Sequence, residues 1–305
     1  MAALRRVPVL KAAHDHYLTT YAFMGVPVGA LPPSGELHGG FRRLLAARLP
    51  EALRRLAADR RAPRATPYDS HPPMPERVAR VAELPDDGRP DDPSAPLALS
   101  LLRDADTVLA AVESATLTAQ ASGLPHVEWD QLVVLRTVSD FHGYAEPLRK
   151  AVQRAVRATA PAAPAAATPA PDSAASAASA ASAAAAELPD LDGVLDAIDR
   201  GLLWMAIADR MPKPDKAARL TGASARNFIR GDIWNGVAGL VQLRLLEQGL
   251  ARPDIAWEGV PGFALPEEWE AGMDAAIDAA LADAPDTAPL RALLAGRAQP
   301  PTGPV

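Results

Sequence analysis

The sequence of 305 residues contains no cysteine, which excludes disulfide bonds, thiol nucleophiles and zinc sites built from thiolates. Any zinc would need histidine and carboxylate ligands. Aromatic residues make up only 5% of the chain, and alanine dominates. The core is therefore expected to rest on leucine, valine and alanine in helices, which predicts a mainly α-helical fold.

Long apolar segments are missing as well. No run of about 18 apolar residues without a charge occurs, so no transmembrane segment is expected in this chain. Residues 1–17 include Arg5 and Arg6 but no apolar stretch of signal-peptide length. From both absences we expect a cytoplasmic protein.

The formal net charge of −6 is divided unevenly along the chain. Residues 1–157 carry 20 basic and 18 acidic side chains, and residues 187–305 carry 11 and 18, so the halves come to +2 and −7. Neither half has the basic surplus of a nucleic-acid-binding domain. We therefore expect no nucleic-acid partner.

Residues 158–186 differ in composition from the rest of the chain. Of these 29 residues 18 are alanine, and none has a large apolar side chain. Such a segment buries too little surface to offset the entropy of ordering it, so it is predicted to be a linker. The sequence thus predicts a helical domain over 1–157, an Ala/Pro/Ser-rich linker over 158–186, and a smaller α-rich domain over 187–305.

Apolar residues recur at helical spacing in the first domain. Helices are predicted over residues 9–24, 37–61, 74–84, 104–122 and 144–159, and the second of them is expected to break near Pro50. The pattern over residues 127–135 fits either a strand or a helix. Within 37–61 the arginines are expected on a solvated face. The predicted buried face consists of Phe41, Leu44, Leu45, Leu49, Leu53 and Leu56.

The second domain is predicted to contain four helices and one hairpin. The helices span 190–211, 232–248, 267–284 and 287–294, and the second of them ends at Gly249 because glycine readily closes a helix. Two short apolar runs around Glu258 and Gly259 predict a β-hairpin. The expected buried face of the first helix consists of Leu191, Val194, Leu195, Ile198, Leu202 and Leu203.

No motif of a familiar catalytic centre is present. A zinc-peptidase HExxH helix needs two histidines one turn apart, with a glutamate after the first, and none of the six histidines has that spacing. GxSxG, GxxxxGK[ST] and GxGxxG are absent too. His14 and His16 form the closest pair, but residues two apart on a helix point about 200° from each other. We expect one of these rings to pack beside Tyr17 or Tyr21 and the other to meet water.

The segment PYDSHPPMPERVARVAEL, residues 67–84, holds His71 in a rigid setting. Pro72 and Pro73 keep the chain extended, so a helix is predicted to start near Met74, with Glu76 favourable close to its positive end. The prolines fix the direction of His71. Taken alone, the pattern favours a structural cap.

Tyr68-Asp69-Ser70-His71-Pro72-Pro73, followed by Glu76-Arg77-Val78, resembles a segment C-terminal to the active site of HtpX-like and CAAX-prenyl-protease-like zinc metallopeptidases, particularly actinobacterial ones. The similarity covers residues 1–150. In that family the resemblance implies a membrane part, an HExxH helix and a glutamate-ligand helix before this segment. The resemblance places His71 and Pro72 beside the zinc cleft, where His71 would either contact the zinc ligands or face the substrate. It implies that Glu76 and Arg77 form structural ion pairs.

Because both ligand helices would precede Ala2, the first hypothesis is a non-catalytic C-terminal portion of such a peptidase, from a truncated product or a misplaced start codon. This chain would hold no cofactor, since zinc belongs to the full-length family, and its partner would be the missing catalytic or membrane part. Leucine, phenylalanine and valine faces of the first domain should then be exposed. The alternative is an autonomous helical protein-interaction module that docks through its acidic half. A third hypothesis is an unorthodox zinc hydrolase using His14, His16 and His71.

Overall fold

The computed structural model describes residues 2–58, 74–85, 98–160, 188–217, 219–220 and 222–295. Helices dominate these ranges, which confirms the predicted mainly α fold. The α-helices are α1 (Ala2–Tyr17), α2 (Glu36–Gly39), α3 (Phe41–Ala47), α4 (Pro50–Ala58), α5 (Met74–Ala82), α6 (Ala105–Thr116), α7 (Trp129–Thr159), α8 (Leu191–Asp199), α9 (Ala208–Arg210), α10 (Gly222–Glu247), α11 (Glu267–Ala280) and α12 (Ala288–Ala295). Short π-helical turns span Leu18–Ala22 and Leu203–Ile207, and 3-10 turns span Val26–Val28, Ala98–Leu101, Ala121–Gly123 and Asp215–Ala217.

One small sheet completes the described structure. Strands β1 (Arg252–Asp254) and β2 (Gly262–Ala264) pair with each other, so the predicted β-hairpin is confirmed. Gly249 has a φ of 70° and stands just after α10, as predicted for a helix-ending glycine. None of the helices in the described ranges is both long enough and apolar enough to cross a membrane.

Helix α7 is longer than predicted. Its start was expected at Tyr144, but one helix runs over Trp129–Thr159 and includes Pro147. Proline removes one main-chain hydrogen bond from a helix. Because Leu132 before the proline and Leu148 after it are both fully buried, packing on either side outweighs that local cost.

The helix predicted over 190–211 is interrupted. It ends at Asp199, and Gly201 then takes a left-handed φ of 75°. A π-helical turn follows, with Leu203 buried as expected and Leu202 only partly buried. Helical periodicity alone does not reveal such a turn, because the apolar spacing continues through it.

A second correction concerns the segment over residues 37–61. The chain leaves helical geometry at Arg48, with φ −91° and ψ 134°, just before Pro50. Leu44 is fully buried as predicted, but this turn leaves Leu49 72% exposed. The prediction that Leu49 belongs to the buried face is therefore wrong.

The chain divides into two compact units. Unit 1 consists of Met1–Arg136 and Pro253–Phe263, and unit 2 of Thr137–Arg252 and Ala264–Val305. These ranges differ from the expected 1–157 and 187–305 in two respects. Unit 1 ends at Arg136, and the hairpin tip belongs to unit 1 although it lies late in the sequence. Most of the predicted linker over 158–186 lies outside the described residues, so its character stays a prediction.

Each unit has its own core. In unit 1 the buried side chains gather around Tyr17 and Tyr21, both fully buried, together with Leu37 and Leu132. In unit 2 the fully buried side chains are contributed by all the longer helices. The largest of them are Leu148, Leu195, Leu203, Ile207, Ile229 and Trp269.

Candidate functional site

The residues that carry the family resemblance lie at and before the start of α5. His71 and Pro72 lie outside the described residues. Glu76 and Arg77 are exposed on α5, where Glu76 Oε1 lies 2.5 Å from Arg80 Nη2, one turn further along. Exposed pairs of this kind contribute about 0.3–0.5 kcal/mol, so Glu76 stabilises its own helix. A position for this motif beside a zinc cleft stays a prediction.

The described histidines of unit 1 have different neighbours. The His14 ring packs edge-on against Phe41 at 5.0 Å and stacks on His38 at 6.2 Å, and burial, followed by the charge of His38, lowers the pKa of His14. His16 Nε2 accepts a hydrogen bond from Arg48 Nη2 at 3.1 Å. No group of three metal-ligating side chains comes together in the described ranges. His14 and His16 therefore act in packing and in hydrogen bonding, respectively.

Arg48 holds the tip of the hairpin against the rest of unit 1. Its Nε donates to the main-chain oxygen of Trp257 at 2.9 Å, and its Nη2 lies 3.3 Å from the oxygen of Gly259. The Tyr21 hydroxyl lies 2.8 Å from the same Gly259 oxygen and 3.0 Å from that of Ala256. Since a phenol has one proton to donate, Arg48 supplies the additional donors that these clustered carbonyl oxygens need. We call Tyr21, Arg48 and Trp257 the hairpin clamp.

An aromatic cluster surrounds the clamp. The Trp257 ring stacks on Tyr21 with centroids 4.9 Å apart and meets Trp129 edge-on at 5.2 Å. Tyr17 lies 6.2 Å from Tyr21 and 6.4 Å from Trp257. Rings at these separations add attraction beyond the area they bury, so the hairpin tip is fixed by stacking as well as by hydrogen bonds.

Glu36 forms a buried ionic centre in unit 1. Its carboxylate accepts from Arg42 Nη2 at 2.8 Å, from Arg43 Nε at 2.7 Å and from Trp129 Nε1 at 3.4 Å. The Tyr17 hydroxyl donates to the main-chain oxygen of Glu36. Burial alone would raise the pKa of Glu36, but the hydrogen bond from Arg43 and the charges of both arginines together hold it below the ordinary value. Burial raises the pKa of Tyr17 well above its ordinary value, and the charge of Glu36 adds to the effect.

A second buried carboxylate, Glu113, lies on α6. It is 3% exposed, and its Oε2 accepts from the main-chain N–H of Leu37 at 3.0 Å. Its Oε1 lies 3.6 Å from His126 Nδ1, which donates to the oxygen of Pro32 at 2.7 Å. Glu113 thereby ties α6 to the start of α2, and His126 ties the loop before α7 to Pro32.

Together these groups form a scaffold. Glu36 is saturated by cations and an indole N–H, and Glu113 is occupied by a main-chain amide. The sequence did not predict the roles of Glu36, Arg48, Glu113 and Trp257, and it assigned Arg48 to a solvated face. The sequence offers one local signal, which is that Glu36 is followed six and seven positions later by Arg42 and Arg43. No pattern among the residues near Arg48 in the sequence predicts its contacts with residues 256–259.

Unit 1 also exposes most of the apolar surface. Among the described residues 17 large apolar side chains are exposed, and only Tyr144, Met205 and Phe228 of these belong to unit 2. Val108 (39% exposed) and Val112 (46%) lie one turn apart on α6. Leu101, at the end of the preceding 3-10 turn, and Leu102, just after it, are exposed as well. We call Leu101, Leu102, Val108 and Val112 the α6 apolar face. Apolar side chains that form one contiguous exposed patch are typical of a surface that binds another polypeptide.

Comparison of the chain with protein-family models, with curated proteins and with solved structures found no match.

Proposed function

We propose that this chain is a non-catalytic, scaffolding part of a zinc metallopeptidase of the HtpX-like or CAAX-prenyl-protease-like kind. Its role is to dock onto the catalytic region, which supplies the zinc ligands from outside residues 1–305. The chain itself carries no zinc and works on the cytoplasmic side. The observation that supports this proposal best is the concentration of exposed apolar side chains on unit 1.

The first support comes from the energetics of that surface. Fully burying a valine or leucine side chain is worth about 1.5–3 kcal/mol. The four side chains of the α6 apolar face are 39–71% exposed, so about half of this free energy is available to a docked polypeptide. Val7 and Leu10, one turn apart on α1, offer a second apolar stripe of the same kind.

The second support comes from the chemistry of unit 1. Its buried carboxylates and the hairpin clamp are engaged in holding loops and helices in place. Glu76 belongs to the segment that resembles the peptidase family. It is exposed and forms an ion pair with Arg80 of the same helix. These contacts suit a rigid platform for an active site that another segment completes.

Mapping the transcript that encodes residues 1–305 tests this proposal. An open reading frame that continues upstream of Met1 and encodes an HExxH motif is the expected result. A transcript that begins next to Met1, with unrelated sequence before it, would contradict the proposal. Metal analysis of purified protein is a parallel test, since one tightly bound zinc per chain would favour the unorthodox hydrolase instead.

The alternative function, an interaction module that docks through its acidic half, has weaker support. Several carboxylates of unit 2 are already paired within the unit. Arg244 pairs with Asp192 at 2.8 Å, and Arg291 pairs with Asp196 at 2.6 Å and with Asp199 at 2.9 Å. These pairs reduce the negative field that a basic partner would meet. A pull-down with the full chain that recovers a salt-sensitive basic partner would favour this alternative.

A further inference from the structure

Two histidine rings meet between α1 and α2. The His14 ring on α1 stacks on the His38 ring on α2, with centroids 6.2 Å apart and an angle of 11° between the ring planes. Both residues are partly buried. Two neutral imidazoles coexist easily at this distance, but two imidazolium charges repel each other, and partial burial reduces the screening by water. The contact between α1 and α2 therefore depends on how many protons the two rings hold.

His38 also connects α2 to α6. Its Nε2 lies 3.2 Å from the hydroxyl oxygen of Thr116. That hydroxyl donates its own proton to a main-chain oxygen of α6, so it accepts from Nε2–H and leaves Nδ1 of His38 as the atom that takes up a proton in acid. The neighbouring Leu37 N–H donates to Glu113 of α6 at 3.0 Å. Residues 37 and 38 thus join α2 to both α1 and α6.

The neighbours of His14 on α1 and α3 do not offset the repulsion between the rings. Asp15 favours a proton on His14 and Lys11 opposes it, and these two side chains pair with each other at 2.8 Å. From α3 the apolar ring of Phe41 packs against His14 at 5.0 Å. Tyr17 lies 6.4 Å from His14 and stays neutral in acid, because burial raises its pKa.

The carboxylates on the helices packed around α1 and α2 have partners of their own. Glu36 is bound by two arginines, and Glu113 accepts from a main-chain N–H and lies 3.6 Å from His126 Nδ1. The carboxylates of α4 and α5 pair with arginines of the same helix, Glu51 with Arg54 and Glu76 with Arg80. In the described ranges, none of these four carboxylates forms an ion pair with His14 or His38.

We propose that His14 and His38 form an acid-sensitive joint that holds α2 against α1 and α6. While the pair holds at most one proton, the joint stays closed. When both rings are charged they repel each other, α2 moves away from α1, and the Leu37 N–H leaves Glu113. This device belongs to unit 1 alone and does not depend on the proposed docking role.

The direction of the pH dependence follows from the folded protein. Burial, followed by the charge of His38, lowers the pKa of His14 below its ordinary value of 6.5. The unfolded chain therefore takes up this proton first. The stability due to the neutral pair is present above about pH 6.5 and is lost as the pH falls from there through the folded pKa.

The first experiment measures the coupling between the rings. The ring C–H signals of the histidines are followed by NMR in the full-length protein from about pH 8 to about pH 4. His38→Gln should raise the proton affinity of His14 at least about threefold, and His14→Phe should raise that of His38 by a similar factor, because coupling between two sites is reciprocal. His142→Gln removes an exposed histidine of unit 2 and should change neither value. The proposal is overturned if His14 has the same proton affinity in the wild type and in His38→Gln.

The second experiment shows whether the joint opens. The hydrogen-exchange rate of the Leu37 amide is divided into the rate of an unstructured peptide at the same pH, which gives its protection factor. This factor should fall at least about tenfold from about pH 7 to about pH 5 in the wild type, and less than about twofold in His14→Phe, whose ring still fits against Phe41. His14→Gln, a second variant that lacks the charge, should behave like His14→Phe.

The amide of Val241 is the internal control for this exchange experiment. Val241 is fully buried on α10 in unit 2, and its protection factor should stay unchanged over the same pH range in the wild type and the variants. The proposal is overturned if Leu37 keeps its protection in the wild type or loses it equally in the variants. It is also overturned if Val241 loses protection in parallel with Leu37, because the whole protein then unfolds.

Discussion

The side chain of Arg48 and the main chain of Trp257, 209 positions apart in the sequence, are joined by a hydrogen bond of 2.9 Å. Helix α3 ends at Ala47, and the extended backbone of Arg48 separates this residue from the solvated arginines around it. The hydrogen bond places the hairpin tip on the aromatic cluster of unit 1. Unit 1 therefore combines residues 1–136 with the hairpin tip, residues 253–263.

Trp257→Ala should destabilise unit 1. The substitution removes a half-buried indole that stacks on Tyr21 and meets Trp129 edge-on, and we expect a loss of about 2 kcal/mol in the free energy of unfolding. Urea denaturation of the full-length protein measures it. Val260→Ala is the matched control, since Val260 lies on the same tip and is 80% exposed. Equal effects of the two substitutions would contradict the clamp.

Arg48→Met should also destabilise the protein. It leaves the clustered oxygens of Trp257 and Gly259 short of donors, at an expected cost of about 1–3 kcal/mol. The control is Arg54→Met, because Arg54 is exposed and, among the described residues, pairs only with the exposed Glu51 of its own helix. We expect that control to stay within about 0.5 kcal/mol of the wild type. If Arg48→Met changes the free energy of unfolding as little as Arg54→Met does, Arg48 belongs to a solvated face and the prediction is wrong.

Glu36 should make stability sensitive to acid. Its pKa in the folded protein lies below the ordinary value, so its contribution is present above about pH 4.5 and is lost as the pH falls through the folded pKa. Glu36→Gln should cost about 2 kcal/mol at neutral pH and flatten the loss of stability below pH 4.5. Urea titrations from pH 6 to about pH 3 measure both effects. Glu76→Gln, which removes an exposed carboxylate, serves as the control and should keep the wild-type slope.

Tyr17 should make stability sensitive to alkali. Its pKa is raised above the ordinary value of 10.0, mainly by burial, so the unfolded chain releases the proton first. The stability due to neutral Tyr17 is present below about pH 10 and decreases above it, by up to about 1.4 kcal/mol per pH unit. Tyr17→Phe should lose about 1 kcal/mol at neutral pH and show a shallower decline above pH 10. Parallel declines in the two proteins would mean that Tyr17 ionises freely in the folded state.

The sequence was informative where structure depends on nearby residues. The helical composition, the stop at Gly249, the hairpin around Glu258 and the buried residues of α8 all follow from local spacing and turn chemistry, and the structure confirms them. The interruption at Gly201 and the exposure of Leu49 were missed because apolar spacing continues across both breaks. The continuation of α7 through Pro147 depends on burial, which local propensity does not contain.

The candidate site was less predictable than the fold. Arg48 and Trp257 acquire their roles only when segments distant in sequence come together. Glu36 pairs with nearby arginines, but its contact with Trp129 depends on a distant segment as well. The histidines drew attention because of their chemistry, yet those described in unit 1 are engaged with aromatic, arginine, hydroxyl and main-chain partners. The exposure of apolar side chains on unit 1 had been expected from the family resemblance, but which residues form the α6 apolar face could be read only from the structure.

Photo-crosslinking from the α6 apolar face is the most direct test of the central claim. A photoreactive phenylalanine derivative replaces Val112 in the full protein in its native cells, and the same derivative replaces Met205, which is 79% exposed on unit 2, as the control. Mass spectrometry then identifies the crosslinked peptides. We predict that position 112, and not position 205, captures a region that carries an HExxH motif, whether it belongs to the same polypeptide or to a separate one. Capture of regions without zinc ligands, or identical products from both positions, would contradict the claim.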